Sequence, residues 1–207
     1  MVMRRHFRTA SGFNFLELIF VIAVIVVIVA IIINVLLSQI GTAEQTGAQK
    51  TTESFAVAIL NFYQDTQTWP IWEDGTKTGP NDRATKYLVS SSGDFPDVGT
   101  TKYDFTPGKG KNPPPTTDTI RNQLMDNAPG YPVTDPKRAW RGPYLSKDPT
   151  DPWGRKYVVN VETLKPGLTM RDVLVLSAGP DGVIQTKLNQ DPGSFVRGGD
   201  DIVYHVR

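Results

Sequence analysis

Hydrophobic and polar positions divide the chain into stretches of different rhythm. From Phe13 to Leu37 nearly every side chain is Val, Ile, Leu, Ala or Phe, and only Asn14, Glu17 and Asn34 are polar. The run holds no Pro, no Gly and no base. About 20 such residues suffice to cross a bilayer as a helix. Further on, Ala48, Thr52, Phe55, Ile59 and Phe62 step by four and three, the spacing of one helical face. Gln45, Gln49, Lys50, Glu53 and Asn61 occupy the other faces. The pattern predicts one helix of roughly fifty residues, apolar all round in front and striped behind. Gly41 and Gly47 are expected to soften it, since each costs up to about 1 kcal/mol in a helix. Trp69-Pro70 is expected to end it, because a residue before proline is pushed out of the helical region.

From Glu73 to Trp140 the rhythm disappears. Gly, Pro, Asn, Asp, Ser and Thr dominate, and Asn112-Pro113-Pro114-Pro115 fits neither a helix nor a central strand. Two short helices are expected here, one from Asp82 to about Val89 and one starting near Asp118 as N-cap, with Ile120 and Leu124 on one side. The rest reads as long surface loop, either functional or a tolerated insertion. From residue 142 onward the pattern becomes strand-like. Lys156–Val161, Val173–Ser177 and Ile202–Val206 are rich in β-branched residues and bounded by turn formers. Short connections imply an antiparallel sheet with one face on the helix stripe and the other facing outward. The expected class is α+β: a long N-terminal helix, its first half membrane-spanning, packed on a small antiparallel sheet with a long central loop region. The boundaries are 1–12 for a basic leader, 13–40 for the apolar half of the helix and 41–69 for its amphipathic half. Residues 70–141 form a loop-rich insertion, and 142–207 the sheet domain.

Glu17 is the informative residue of the apolar run. A carboxylate at the centre of a membrane helix costs about 2.5 kcal/mol or more, so an acid there points to function. Three readings of the segment compete. A secretory signal peptide has an apolar core of about 7–15 residues followed by a small-residue cleavage site. Gly41-Thr42-Ala43 would serve as that site, but the run is too long. A plain single-span anchor, oriented by Arg4, Arg5, His6 and Arg8 through the positive-inside rule, leaves Glu17 and the Gly12-Phe13 junction unexplained. Gly12-Phe13-Asn14-Phe15-Leu16-Glu17 followed by the apolar run resembles the cleavage and assembly signal of type IV prepilins and pseudopilins. The departures are Asn14, where a small hydroxyl residue is common, and Phe15, where Leu is common.

That resemblance implies processing by a prepilin peptidase between Gly12 and Phe13, methylation of the new amino terminus, and Glu17 as the fifth mature residue. It further implies assembly through Glu17 and the Phe13 amine into a helical filament.

Composition narrows the rest. In 207 residues with a net charge of +1 there is no basic stripe after Arg8, which argues against nucleic acid as a partner. The absence of cysteine excludes a disulfide framework and thiolate chemistry. Gly-x-Ser-x-Gly, His-Glu-x-x-His and phosphate-cradling Gly-rich motifs are absent, so the sequence gives no sign of an enzyme. His6 lies in the leader, and His205 in the last strand reads as structural.

A second resemblance lies in the sheet region. Gly142-Pro143-Tyr144-Leu145, Asp151-Pro152-Trp153-Gly154-Arg155 with Tyr157, Ser177-Ala178-Gly179-Pro180-Asp181-Gly182 and Asp200-Asp201-Ile202 are similar to the domain signature of major pseudopilins of type II secretion, the general secretory pathway G type. The resemblance covers residues 12 to about 70 and 142 to 204. It implies Ca²⁺ bound by Asp181 and Asp200 with carbonyls such as that of Ala178. Asp191 or Asp201 could substitute, because the Val183–Gly199 loop is longer than in the family. The residues by themselves better suit a hairpin turn at Asp181-Gly182 and a solvated loop end at Asp200-Asp201, and the resemblance is what brings calcium forward.

The resemblance also implies a structural subunit in the bacterial inner membrane, single-pass, with its domain in the periplasm. Its expected partners are copies of itself, minor pseudopilins, inner-membrane assembly proteins, the prepilin peptidase and membrane lipid. The expected role is to polymerise into a pseudopilus that drives protein export. A subunit of a true type IV pilus, extracellular and adhesive or motile, is the alternative. A membrane-anchored binding protein using residues 73–140 is a further one.

Overall fold

The computed structural model describes residues 14–98, 117–168, 172–188, 190–191 and 193–206. The chain resolves into two compact units that meet between Ala43 and Glu44. Helix α1 runs from Phe15 to Thr66, 52 residues without a break at Gly41 or Gly47.

In the first unit every described position of α1 from Phe15 to Ile40 is exposed. The helix is long and apolar enough to cross a membrane. Such a sequence is helical in lipid because a helix satisfies all its backbone groups within the segment. In the second unit the expected stripe is the buried face. Ala48, Thr52, Phe55, Ile59 and Phe62 are each at most 1% exposed.

The helix stops at Thr66, three residues earlier than the proline alone implies. Gln67 takes a left-handed φ of 53°, and its N–H donates to the Tyr63 carbonyl at 2.8 Å. Left-handed termination of this kind satisfies carbonyls that the last turn leaves open. The Thr66 hydroxyl adds a bond to the Phe62 carbonyl at 2.7 Å.

The stretch read as loop supplies more regular structure than its composition suggests. Residues 87–89, placed in a short helix by the sequence, instead form strand β1 (Tyr87–Val89). Strands β2 (Asp97–Val98) and β3 (Thr117–Thr119) follow, then helix α2 (Ile120–Leu124). Thr119, not Asp118, caps α2 by accepting the Asn122 N–H at 3.1 Å. Asp118 stands one step outside and accepts from the Thr119 N–H and the Asn122 and Gln123 side-chain amides, each at 2.7 Å. Ile120 and Leu124 are buried as expected. The three strands expected downstream appear as β4 (Val158–Asn160), β5 (Leu174–Ser177) and β7 (Ile202–His205), with β6 (Val183–Ile184) between the last two.

The main sheet has the order β3-β1-β4-β5-β7. It is mixed, which corrects the antiparallel expectation. The β1–β4, β4–β5 and β5–β7 pairs are antiparallel, whereas β3 joins β1 in parallel. The expectation came from the short connections after residue 142, and there it describes the sheet. A parallel neighbour needs a long connection, and the 27 positions between β1 and β3 in the sequence are enough for one. The sheet therefore draws two strands from the stretch read as loop.

The outer face of the sheet is not solvated. Leu88, Val159 and Val175 pack with the helix stripe. Tyr87, Val89, Val158, Leu174 and Leu176 build a second cluster with Ile184 and Leu188 on the other side. A strand buried on both faces reads as a continuous apolar run, as Val173-Leu174-Val175-Leu176 does. The cover includes β6, paired in parallel with β2 at Asp97↔Val183 and Val98↔Ile184.

Candidate functional site

In the second unit, the segment between β5 and β7 carries the convergent carboxylates. β5 delivers the fully buried Ser177 and Ala178, and the chain then turns through Gly179 and Gly182 at φ of 65° and 74°. A side chain at Gly179 would come within 2.6 Å of the Asp200 carbonyl oxygen, so glycine lets the two strand ends approach. The Asp181 carboxylate closes its own turn. Its Oδ1 accepts the Val183 N–H at 2.8 Å and its Oδ2 the Gln185 amide at 3.0 Å. The Asp181 N–H donates to Asp200 Oδ2 at 3.2 Å, which brings together two residues nineteen apart in sequence.

Asp201, expected as a substitute ligand, is the buried member of the Asp200-Asp201 pair. It is 0% exposed, and its Oδ2 accepts the backbone N–H groups of Gln185 at 2.9 Å and of Thr186. Burial raises its carboxyl above the ordinary range and the negative charge of Asp181 adds to the rise, while the Thr186 and Gln185 donors oppose it. Its Oδ1 and the Oδ1 of Asp200 are both buried with no hydrogen-bond partner. The only signal in the sequence is adjacency to β7, which turns one aspartate of the pair inward. Asp191 is exposed and lies ten residues before Asp201 on the same excursion.

Asp200 and Asp201 each keep one buried oxygen without a partner, and oxygen donors of this hard kind are those that suit Ca²⁺. Among the described residues no three acidic or imidazole groups are close enough to hold an ion by side chains alone. An ion here would also need backbone carbonyls, which Ca²⁺ with its 6–8 oxygen ligands commonly uses. The residues fit such an ion on that condition.

The Asp151-Pro152-Trp153-Gly154 turn is structural. Asp151 Oδ1 accepts the N–H groups of Trp153 at 3.1 Å and Arg155 at 2.7 Å, and its Oδ2 accepts the Ser177 hydroxyl at 2.7 Å. The turn thus fastens the entry to β4 onto the end of β5, next to the carboxylate loop. Nearby, the buried Lys156 Nζ donates to the Ser90 and Ser91 carbonyls at 2.8 Å each and lies over the Phe95 ring. Burial lowers its pKa, and the charges of Asp148 and Asp94 oppose that shift.

An open cleft of about 650 Å³ beside the end of α1 is lined by Tyr63, Trp69, Trp72 and Tyr131, with Asp135, Arg138 and Lys165 as its ionisable groups. Asp135 accepts the Lys137 and Arg138 backbone N–H groups, and Lys165 Nζ donates to the Asp82 carbonyl. Two of its three ionisable side chains are therefore engaged in local structure.

In the first unit, Glu17 lies in the first turn of α1, where its N–H donates to the Asn14 carbonyl at 2.9 Å and its side chain is exposed. A carboxylate in the first helical turn is favoured by the positive end of the helix dipole. Gly12 and Phe13, the expected processing site, lie outside the described residues.

The family described as "Type II secretion system (T2SS), protein G" matches the chain over residues 110–192, which include β3, α2, β4, β5, β6 and Asp181. No curated protein and no solved structure gives a significant match.

Proposed function

We propose, from the assignment to the G-type pseudopilins that this match supports, that the chain is a structural subunit of a type II secretion pseudopilus. The matched family consists of structural secretion-system subunits, not enzymes. The observation that carries the reading is the conjunction of that match with an apolar helical segment, residues 15–40, whose single acid, Glu17, sits in the first turn. An apolar helix alone would suit any anchored protein, and the match alone begins at residue 110, well after the helix. Together they support the reading of a subunit stored in the inner membrane through residues 13–40, with its domain in the periplasm.

Prepilin peptidase would remove residues 1–12 and leave a methylated Phe13. Glu17 is the group that counts the subunit into the filament. Two opposite charges a few ångströms apart in a low-dielectric core attract strongly, while either alone is costly there. The Glu17 carboxylate would thus pair with the Phe13 amine of a neighbouring copy. Addition of subunits, together with minor pseudopilins and inner-membrane assembly proteins, extends a periplasmic filament that pushes exported proteins outward.

Asp181 and Asp200 with the Ala178 carbonyl, joined by Asp201, would hold Ca²⁺. The ion would supply a fixed positive charge, and the chain's own residues do the rest. The Gly179 and Gly182 turns, Gln185 and the Asp151 clamp hold the loop against the sheet. A cysteine-free exported domain with a long β6–β7 connection has few other clamps.

The test is deletion of the gene in its host. The reading expects exported proteins to accumulate in the periplasm, with restoration by the parental gene. Intact secretion combined with loss of surface pili or motility would move the chain to the true-pilus alternative.

A further inference from the structure

The carboxylate loop has a positive charge at its edge that the proposed function leaves without a task. A side chain at Gly182 would stand 1.8 Å from Arg155 Cζ and 2.1 Å from its Nε and Nη2, so the guanidinium lies against the backbone of the Asp181-Gly182 turn. Both sides of that contact are held by backbone bonds. The Arg155 N–H donates to Asp151 Oδ1 at 2.7 Å, and its carbonyl accepts the Asp151 N–H at 2.8 Å. The Gly182 N–H donates to the Gly179 carbonyl at 3.3 Å, and its carbonyl accepts the Asp97 N–H at 3.0 Å. Yet the guanidinium makes no hydrogen bond or ion pair among the described residues, and the side chain is partly exposed. Asp181, the adjacent residue, turns its carboxylate to the Val183 N–H and the Gln185 amide instead. Arg155 therefore sits beside the carboxylates without bonding to any of them. A charge so placed acts through space. It eases the mutual repulsion of Asp181, Asp200 and Asp201 while the loop is free of ions, and it repels a cation that enters.

We infer that Arg155 sets a high calcium threshold for this loop: its charge weakens Ca²⁺ binding, so the domain takes the ion only where free calcium is abundant. This rests on the reading that Asp181, Asp200 and Asp201 hold calcium. A unit charge about 8 Å from a divalent ion changes its affinity roughly fivefold even at the dielectric constant of water.

The test is isothermal titration of Ca²⁺ into detergent-solubilised full-length chain. Arg155→Gln removes the charge and keeps the backbone bonds to Asp151. Arg155→Met, neutral and of similar length, repeats the test with more of the packing on Gly182 preserved. Both are expected to lower Kd about fivefold, while Arg155→Lys, which keeps the charge, stays within about twofold of the parent. The gain should shrink in about 0.5 M NaCl, because salt screens an exposed charge and does not alter packing. Parental affinity in both neutral variants, weaker binding in them, an equal gain in Arg155→Lys, or a gain indifferent to salt each overturn the inference and leave the calcium site standing. Absence of binding in parent and variants alike overturns the calcium reading and the inference with it. Binding by the neutral variants alone supports the inference in its strongest form.

Discussion

Replacing Asp201 by Asn should reverse its effect on stability when calcium is added. Asp201 Oδ2 receives two backbone N–H groups, and its Oδ1 is buried without a partner. Alanine would leave both donors unpaired at about 1–3 kcal/mol each, enough to confuse loss of an ion with loss of the fold. Asparagine keeps a carbonyl oxygen for the two donors and replaces the orphaned oxygen with an amide that cannot ligate a cation. In chelator the variant should lie above the parent by up to about 1 kcal/mol, because a buried neutral amide is less costly than a buried carboxylate. In millimolar Ca²⁺ the parent should gain about 2.7 kcal/mol if the ion is at a hundredfold excess over its dissociation constant. For a chain of this length that is about 5–10 °C in Tm. The variant should gain little, so the order of the two melting curves changes with calcium. Scanning calorimetry of detergent-solubilised full-length protein reads both effects, and Mg²⁺ should help less because it demands a tighter octahedral shell. A parental Tm indifferent to chelator would refute the site. A variant keeping the full calcium gain would show that Asp201 Oδ1 does not face the ion.

Other expectations concern processing, assembly and the turn beside the carboxylates. Gly12→Leu should leave the leader in place, so that intact mass from membranes shows full-length chain and not a methylated product starting at Phe13. A start at Glu44 in the parental protein would instead favour a signal peptide. Glu17→Ala should be cleaved and stable yet poor at entering filaments, measured by filament yield in electron micrographs, and parental yields would sink the charge-pair argument. Asp151→Ala removes the acceptor of three hydrogen bonds and should lose about 3 kcal/mol or more in a denaturant titration. Asp151→Asn should recover part of that loss. A loss below about 1 kcal/mol would mean that the turn holds itself without the carboxylate.

The local periodicities determined a good deal. The step of four and three from Ala48 to Phe62 set the buried face of α1, because helical geometry fixes which residues share a side. The β-branched runs located β4, β5 and β7. What only the tertiary structure decided were relations across long sequence separations. Tyr87-Leu88-Val89 is too short to carry a strand signal of its own and becomes one by pairing with β4 and β3. The parallel pairing of β3 with β1 joins Tyr87 to Thr117, thirty residues on, a relation that the Gly- and Pro-rich composition does not encode. Which of Asp200 and Asp201 is fully buried likewise turned on which side of the chain entering β7 faces inward. A period of two specifies alternation, while the absolute facing is set by what the strand packs against. Burial of both sheet faces, where an outward-facing second face was expected, follows the same rule: β6, Leu188, Phe95 and Phe195 come from other parts of the chain to supply the second cover.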